Sequence, residues 1–127
     1  MSESTELLTL EFEGLPPTVN MMYRGIHGHR YKTTATQRFQ ADISQCMRKL
    51  WNGQPPYEGR VEYTITYFTI NYRRWDIDNR VKALQDCLSL SGVIKDDSQV
   101  DKLTVERKYT QRQREYTLLT LIKYKDK

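Results

Sequence analysis

The chain has 127 residues, of which 38% are hydrophobic and 28% charged, and it carries a formal net charge of +4. This size and composition predict one globular domain, residues 1–127, small enough to favour pairing with a second copy. No apolar run approaches the ~20 residues of a membrane span, and the N-terminal residues lack the basic start and apolar core of a signal peptide. We therefore expect a cytoplasmic protein without membrane association.

Positive charge is concentrated in the body of the domain. The first 20 residues contain four glutamates and no Lys or Arg, so the remainder holds 20 basic residues against 12 acidic ones. A basic surface attracts phosphates, although such charge could serve solubility alone. Together with the aromatic residues, the charge pattern favours a nucleic-acid partner.

The N-terminal half predicts a strand, a long loop and a helix. The strand covers Leu7 to Phe12 and ends at Gly14-Leu15-Pro16-Pro17. The loop runs through Asn20, Tyr23, Gly25 and Gly28, and loops of this length are usually functional or disordered. The helix covers about Thr34 to Trp51, where apolar residues recur at helical spacing: Phe39, Ile43, Cys46, Met47 and Leu50.

The C-terminal half predicts three strands and a second helix. A strand from Arg60 to Ile70 is rich in β-branched and aromatic residues. A helix marked by Val81, Leu84 and Leu88 closes near Ser91-Gly92, and two strands follow at Val100–Thr110 and Glu115–Tyr124. The order β-α-β-α-β-β indicates an α+β (mixed α/β) fold, with two helices on a small mixed sheet.

The cysteine and histidine patterns do not indicate a metal site. Cys46 and Cys87 form no disulfide framework, and we expect both to be buried as small apolar residues. His27-Gly28-His29 has no further ligand at zinc-like spacing, so DNA contact is the better hypothesis there than metal binding.

Acidic residues recur in two short motifs, Asp76-Ile77-Asp78 and Asp96-Asp97. In an extended segment, residues two apart point to the same side, so Asp76 and Asp78 can share one Mg²⁺, which prefers oxygen ligands. If a helix begins at Asp78, Lys82 lies one turn along on the same face. The alternatives are an N-cap at Asp78 and a plain turn at Asp96-Asp97.

The neighbours of the acidic motif suit a polyanionic substrate. Arg73, Arg74 and Trp75 place two cations and a stacking ring ahead of the carboxylates, although a solvated strand end has the same composition. Lys82 and Asp86 are four residues apart. Such a pair often stabilises an exposed helix slightly, but here we favour Asp86 orienting Lys82 toward the site.

The pattern Asp76-x-Asp78-Asn79-x-x-Lys82-x-x-x-Asp86-x-Leu88, followed by Gly92, Asp96-Asp97 and Val100, resembles the RusA family of Holliday junction resolvases. The opening Leu15-Pro16-Pro17-Thr18-Val19-Asn20, with Tyr23 after it, is also similar to that family's. Together the similarities cover most of residues 14 to 101.

The resemblance implies a Mg²⁺-dependent endonuclease of phage or prophage type that resolves four-way DNA junctions by paired nicks in recombination and repair. It implies Asp76, Asp78 and Asp97 as the metal ligands and Lys82 as the essential lysine. Asp86 and Asp96 are candidates for supporting residues beside them. The implied DNA contacts are Thr18, Val19, Asn20, Met21, Arg73, Arg74, Trp75 and Asn79.

Two other functions stay open: a non-catalytic phage DNA-binding protein with this fold, and a nuclease for flaps or other branched DNA. A junction has approximate two-fold symmetry, so a homodimer would present two active sites in matching orientation. The apolar residues Tyr63, Tyr67, Phe68 and Ile70 are candidates for its interface.

Overall fold

A computed structural model describes residues 5–26, 28–71 and 74–125. It confirms the predicted α+β class, and no helix within these ranges is long and apolar enough to cross a membrane. Two short 3₁₀ turns, Ile77–Arg80 and Asp97–Gln99, precede the third helix and the fifth strand. The elements in chain order are β1 (Glu6–Glu13), α1 (Val19–Met22), β2 (Tyr23–Ile26), β3 (His29–Lys32), α2 (Thr34–Trp51), β4 (Val61–Thr69), α3 (Val81–Leu90), β5 (Val100–Tyr109) and β6 (Tyr116–Lys123).

The main sheet has four strands in the order β1-β6-β4-β5. Only β4 and β5 are parallel, and the other two neighbouring pairs are antiparallel. Parallel neighbours need a crossover connection, and here α3 supplies it. Both acidic motifs lie on this connection, one before α3 and one after it.

The core lies between this sheet and the two longer helices. Along β4 the inward residues Val61, Tyr63, Ile65 and Tyr67 are fully buried, and they belong to one apolar cluster with residues of α2 and α3. Burial of Tyr63 and Tyr67 within the subunit removes them as interface candidates, so that part of the prediction is wrong. Their rings fill the core instead of adding apolar surface.

Two other interface candidates behave differently. The ring of Phe68 is half-buried and stacks on that of Tyr116, with centroids 4.3 Å apart. Ile70 is exposed. Of the four candidates, only Ile70 is therefore available to a partner as largely open apolar surface.

Helix α2 has the predicted limits. The Thr33 hydroxyl accepts a hydrogen bond from the Thr36 N–H at 3.2 Å, and Asn52 ends the helix in the left-handed region at φ 57°. The buried face runs through Thr36, Gln40, Ile43, Ser44, Met47 and Trp51.

The predicted burial of Cys46 is wrong, because this residue lies on the exposed side of α2. The inward face contains polar residues, which an apolar count does not detect. Cys87 is buried as predicted, and burial raises the pKa of its thiol to about 11, which keeps it protonated and unreactive.

The predicted long loop is wrong in its structure, because residues 19–26 and 29–32 form α1 and the two paired strands β2 and β3. Gly28 adopts φ +83° in the hairpin turn, and a Cβ at Gly25 would lie only 3.0 Å from the His29 carbonyl oxygen. The hairpin is anchored to α1 by Thr33, whose N–H donates to Met22 O at 2.8 Å. Strands of four residues are too short to show apolar alternation in the sequence.

Candidate active site

Asp76 and Asp78 lie on the connection between β4 and α3, and both are exposed. The backbone of Asp76 is extended, with φ −83° and ψ 133°, whereas Asp78 lies within the 3₁₀ turn. The Asn79 N–H donates to the Asp76 carbonyl at 3.1 Å and closes this turn. The helix does not begin at Asp78, which was the condition for placing Lys82 on the same face: a 3₁₀ turn comes first, and the α-helix begins at Val81.

Arg74, two residues upstream of Asp76, is exposed, and Asn79 is half-buried. Arg73, also predicted to contact DNA, lies outside the described residues, as does His27 of the histidine motif.

Lys82 and Asp86 face each other on α3, with Lys82 Nζ 3.5 Å from Asp86 Oδ1. The other carboxylate oxygen of Asp86 lies 3.3 Å from Lys32 Nζ and accepts a hydrogen bond from Gln40 Nε2 at 3.2 Å. Lys32 from β3 and Gln40 from α2 thus fix Asp86. Because Asp86 is fixed, it can hold the Lys82 ammonium in one place.

Gln40 makes this arrangement rigid. It is buried, its Oε1 accepts a hydrogen bond from Lys32 Nζ at 2.6 Å, and its Nε2 also donates to the Ala83 carbonyl at 3.1 Å. Sequence reasoning missed both Lys32 and Gln40. The available signal was spacing, since Gln40 lies three residues before Ile43 and seven before Met47, on the same side of α2.

The second acidic motif starts the 3₁₀ turn Asp97–Gln99. Asp96 caps this turn, because its carboxylate accepts a hydrogen bond from the Ser98 N–H at 3.0 Å. Hydrogen bonds from the Ser98 side chain and backbone hold the pKa of Asp96 below its usual range. Asp96 therefore has a structural role in this turn, next to Asp97.

Gln99 ties the turn to the chain ahead of β4. Its Nε2 donates to the carbonyls of Tyr57 and Gly59 at 2.7 and 2.9 Å. Its Oε1 accepts from the N–H groups of Lys95 and Asp96 at 2.8 and 3.0 Å. All four hydrogen-bonding positions of the amide are occupied, so this buried side chain fixes the place of Asp97.

The Asp97 carboxylate lies beside the last turn of α3, where Ser89 Oγ donates to it at 3.4 Å. Partial burial is the main cause that raises the pKa of Asp97, followed by the negative charges of Asp86 and Asp96. Lys82 opposes this shift. Lys82 is thus electrostatically coupled to the second acidic motif and also lies one turn beyond the first.

The predicted ligands Asp76, Asp78 and Asp97 do not form one cluster. Within the described ranges, no three His, Cys, Asp or Glu residues are grouped closely enough to hold a metal ion. Mg²⁺ is often bound by only one or two carboxylates plus substrate phosphate and water. The exposed pair Asp76 and Asp78 fits that mode, whereas Asp97 lies with Asp86 farther along α3.

Trp75 is surrounded by cations. Its ring packs edge-on against Tyr67, and the guanidinium groups of Arg80 and Arg107 each lie 4.7 Å from its centroid. Arg107 also donates to the Trp75 carbonyl at 3.1 Å. The ring predicted to stack on DNA therefore holds two arginines beside the acidic pair.

The predicted DNA-contacting segment Thr18–Met21 lies close to the acidic pair. Helix α1 contacts the 3₁₀ turn Ile77–Arg80 and α3, and Arg80 Nη1 donates to the Pro16 carbonyl. Asn20 and Met21 are exposed, whereas Thr18 and Val19 are half-buried. The proline-rich opening and the first acidic motif are thus parts of one surface.

Sequence comparison agrees with this geometry. The profile of the family described as Endodeoxyribonuclease RusA matches residues 13–116, and the chain belongs to this family of DNA endonucleases. One relative is the protein named crossover junction endodeoxyribonuclease rusA from Enterobacteria phage HK97. It is 29% identical over 92 residues, which are 72% of this chain and 76% of the relative.

Proposed function

We propose that this protein is a Mg²⁺-dependent endonuclease that cuts four-way DNA junctions by paired nicks and acts as a homodimer. The observation that carries the proposal is the exposed pair Asp76 and Asp78 directly ahead of α3, with Lys82 one turn farther on. The junction as substrate is suggested by the name of the HK97 relative.

Asp76 and Asp78 would hold the cation, and the scissile phosphate would complete its ligands. Bound there, Mg²⁺ supplies Lewis-acid polarisation of the phosphate and an acidified water. Lys82 meets the negative charge that grows on the phosphate during cleavage. Its side chain is 49% exposed, so the ammonium can reach DNA while Asp86 orients it.

Asp97 is proposed as a third ligand, and it lies apart from the pair Asp76 and Asp78, beside Asp86 and Ser89. Its raised pKa reflects burial and the repulsion of Asp86 and Asp96, and a divalent cation near it would remove that repulsion. This role can be tested apart from that of the first pair. Asp97→Asn and Asp76→Asn should each weaken Mg²⁺ binding in calorimetry, and unchanged binding by Asp97→Asn would remove Asp97 from the ligand set.

Arg74, Arg80 and Arg107 are cations near the acidic pair that can hold neighbouring phosphates. Phosphate contacts set the register of a protein on DNA without reading sequence. Trp75 supports this role, since the guanidinium groups of Arg80 and Arg107 each lie 4.7 Å from its ring centroid.

The homodimer follows from the geometry of the substrate. Paired nicks need two active sites in equivalent orientation on opposed strands, and a two-fold pair of identical chains provides them. Light scattering coupled to gel filtration should give twice the chain mass of 15.1 kDa. A monomer that remains monomeric on a junction would contradict this part of the proposal.

The activity is tested with a synthetic four-way junction, a flap and a plain duplex of shared sequence, each in Mg²⁺ and in EDTA. We expect cutting of the junction in Mg²⁺ only. Preference for the flap would identify a different branched-DNA nuclease, and binding without cutting would identify a non-catalytic DNA-binding protein.

Two variants test the proposed residues. Asp76→Asn should abolish cutting and keep junction binding, because it removes negative charge near DNA, whereas Asp42→Asn, at an exposed position of α2, should cut normally. Lys82→Ala should cut slowly, with Lys49→Ala as its control. Normal cutting by Asp76→Asn would refute the proposed site.

Nick pairing is tested on a supercoiled plasmid that extrudes a cruciform. Two nicks within one binding event give linear DNA directly, whereas independent nicks give open circles first. We expect linear product from the earliest time points, and open circles alone would refute pairing.

A further inference from the structure

The β2–β3 hairpin borders a cleft of about 730 Å³ that is separate from the carboxylate pair. Its volume is within the range of about 300–1,000 Å³ found for ligand sites. The lining comes from α1, both hairpin strands and the start of α2: Asn20, Met21, Tyr23, Arg24, Gly25, Tyr31, Thr33 and Ala35. The lining combines aromatic rings, one arginine and small residues.

The segment that contributes the cleft residues carries charge of one sign. Between Glu13 and Asp42 the sequence has no acidic residue and four basic ones, Arg24, Arg30, Lys32 and Arg38. Such a segment favours a polyanion. The occupant that complements both the charge and the aromatic lining is a nucleotide with its phosphate.

The two faces of the hairpin have different roles. Tyr23 pairs with Lys32, and Arg24 pairs with Tyr31, so the two pairs point to opposite faces. Lys32 turns toward the helices, where it contacts Gln40 and Asp86. The Arg24–Tyr31 face is therefore opposite the face from which Lys32 reaches Gln40 and Asp86.

Tyr31 is the aromatic ring that the hairpin offers to a ligand. It is 48% exposed, whereas Tyr23 is half-buried and carries the Arg30 guanidinium 4.6 Å from its ring centroid. Arg24 lies directly opposite Tyr31, with about 5 Å between Cβ atoms in such a pair. A ring and a guanidinium at this spacing match a base and its adjoining phosphate.

The cleft is connected to the candidate active site. Asn20 and Met21 belong to α1, which contacts the Ile77–Arg80 turn. A DNA strand with one phosphate at the carboxylate pair can therefore continue along α1 toward the hairpin.

We propose that this cleft binds an unpaired nucleotide of branched DNA, with the base stacked on Tyr31 and a phosphate held by Arg24. The proposal rests on the proposed function for the source of the nucleotide. In a duplex the bases are already stacked on each other, so Tyr31 distinguishes opened DNA from paired DNA.

The test is DNA binding in EDTA, measured by fluorescence anisotropy on a junction, a single strand and a duplex of the same sequence. Tyr31→Ala should weaken junction and single-strand binding about tenfold and leave duplex binding unchanged. Tyr31→Phe keeps the ring and should bind like the wild type. Arg24→Ala should weaken all three and reduce the slope of log affinity against log salt by about one, whereas Lys49→Ala should not.

A base analogue locates the nucleotide. With 2-aminopurine beside the branch point, the wild type should quench fluorescence at one or more positions, and Tyr31→Ala should lose this quenching. Melting curves establish that each variant is folded; both hairpin residues are exposed.

The inference is overturned if Tyr31→Ala binds the junction and single strand like the wild type, or if it loses duplex binding equally. These results are independent of cleavage. If the wild type cuts junctions and Tyr31→Ala binds them normally, only the proposed nucleotide binding in the cleft is refuted. If the wild type cuts nothing in Mg²⁺, the proposed activity is wrong. The single-strand binding of Tyr31→Ala would still show whether the cleft binds an unpaired nucleotide.

Discussion

Replacement of Gln99 by alanine should destabilise the fold through the turn that carries Asp97. The change removes four hydrogen bonds of 2.7 to 3.0 Å from a buried amide. At about 0.5–1.5 kcal/mol of net stability each, the four contribute about 2–6 kcal/mol. Lys95 and Asp96 are exposed, so water can satisfy their N–H groups and the lower half of that range applies, about 3 kcal/mol.

The measurement is thermal unfolding followed by circular dichroism. A chain of this length loses about 4 °C in Tm per kcal/mol, so Gln99→Ala should melt about 12 °C below the wild type. Gln45→Ala, on the exposed side of α2, is the control and should melt within about 2 °C of it. A loss of less than about 2 °C for Gln99→Ala would refute the reasoning.

Gln99→Glu tests the effect of the hydrogen bonds alone, because the two side chains have nearly the same size. The carboxylate keeps both acceptors for Lys95 and Asp96 but faces the carbonyls of Tyr57 and Gly59 without a proton to donate. Burial and these carbonyls should raise the pKa of the new acid in the folded state. Its destabilisation should therefore be full at neutral pH and decline as the pH falls toward the unfolded value of about 4.3.

Two further predictions concern titration and reactivity. Folding raises the pKa of Asp97, so its charge destabilises the fold above that pKa and has no effect below the unfolded pKa of about 3.9. In EDTA, Asp97→Asn should therefore melt above the wild type at pH 7, with the two melting temperatures converging near pH 3; a gap independent of pH would contradict this. Cys46 is exposed and Cys87 is buried. A thiol reagent such as DTNB should therefore modify one cysteine quickly in the native protein and the second only on unfolding. Fast modification of both cysteines would contradict the burial of Cys87.

The larger elements could be predicted from the sequence because each has a strong periodic signal. Helix α2 has both caps and an apolar stripe, and β4 alternates over nine residues. The turn before α3 was missed because Asp78 is as good an N-cap for an α-helix as a member of a 3₁₀ turn. The hairpin was missed because its short strands are polar and depend on contacts with α1 and α2.

The candidate site was predictable in its residue types but not in its grouping. The family resemblance implied that three aspartates meet, whereas the chain places Asp97 with Asp86 and Ser89 along α3. The residues that fix Asp86, Lys32 and Gln40, come from far away in the sequence. A local sequence pattern cannot predict contacts between residues so far apart in the chain, because such contacts form only when the helices pack together.

The last strand of the chain occupies the interior of the sheet, since β6 lies between β1 and β4. During synthesis, β1 leaves the ribosome first but cannot pair until nearly the whole chain has followed. Non-local pairing of this kind slows folding and leaves apolar strands open to chaperones or aggregation meanwhile. A premature stop codon before residue 116 should therefore yield an insoluble fragment, even though both acidic motifs would already have been translated.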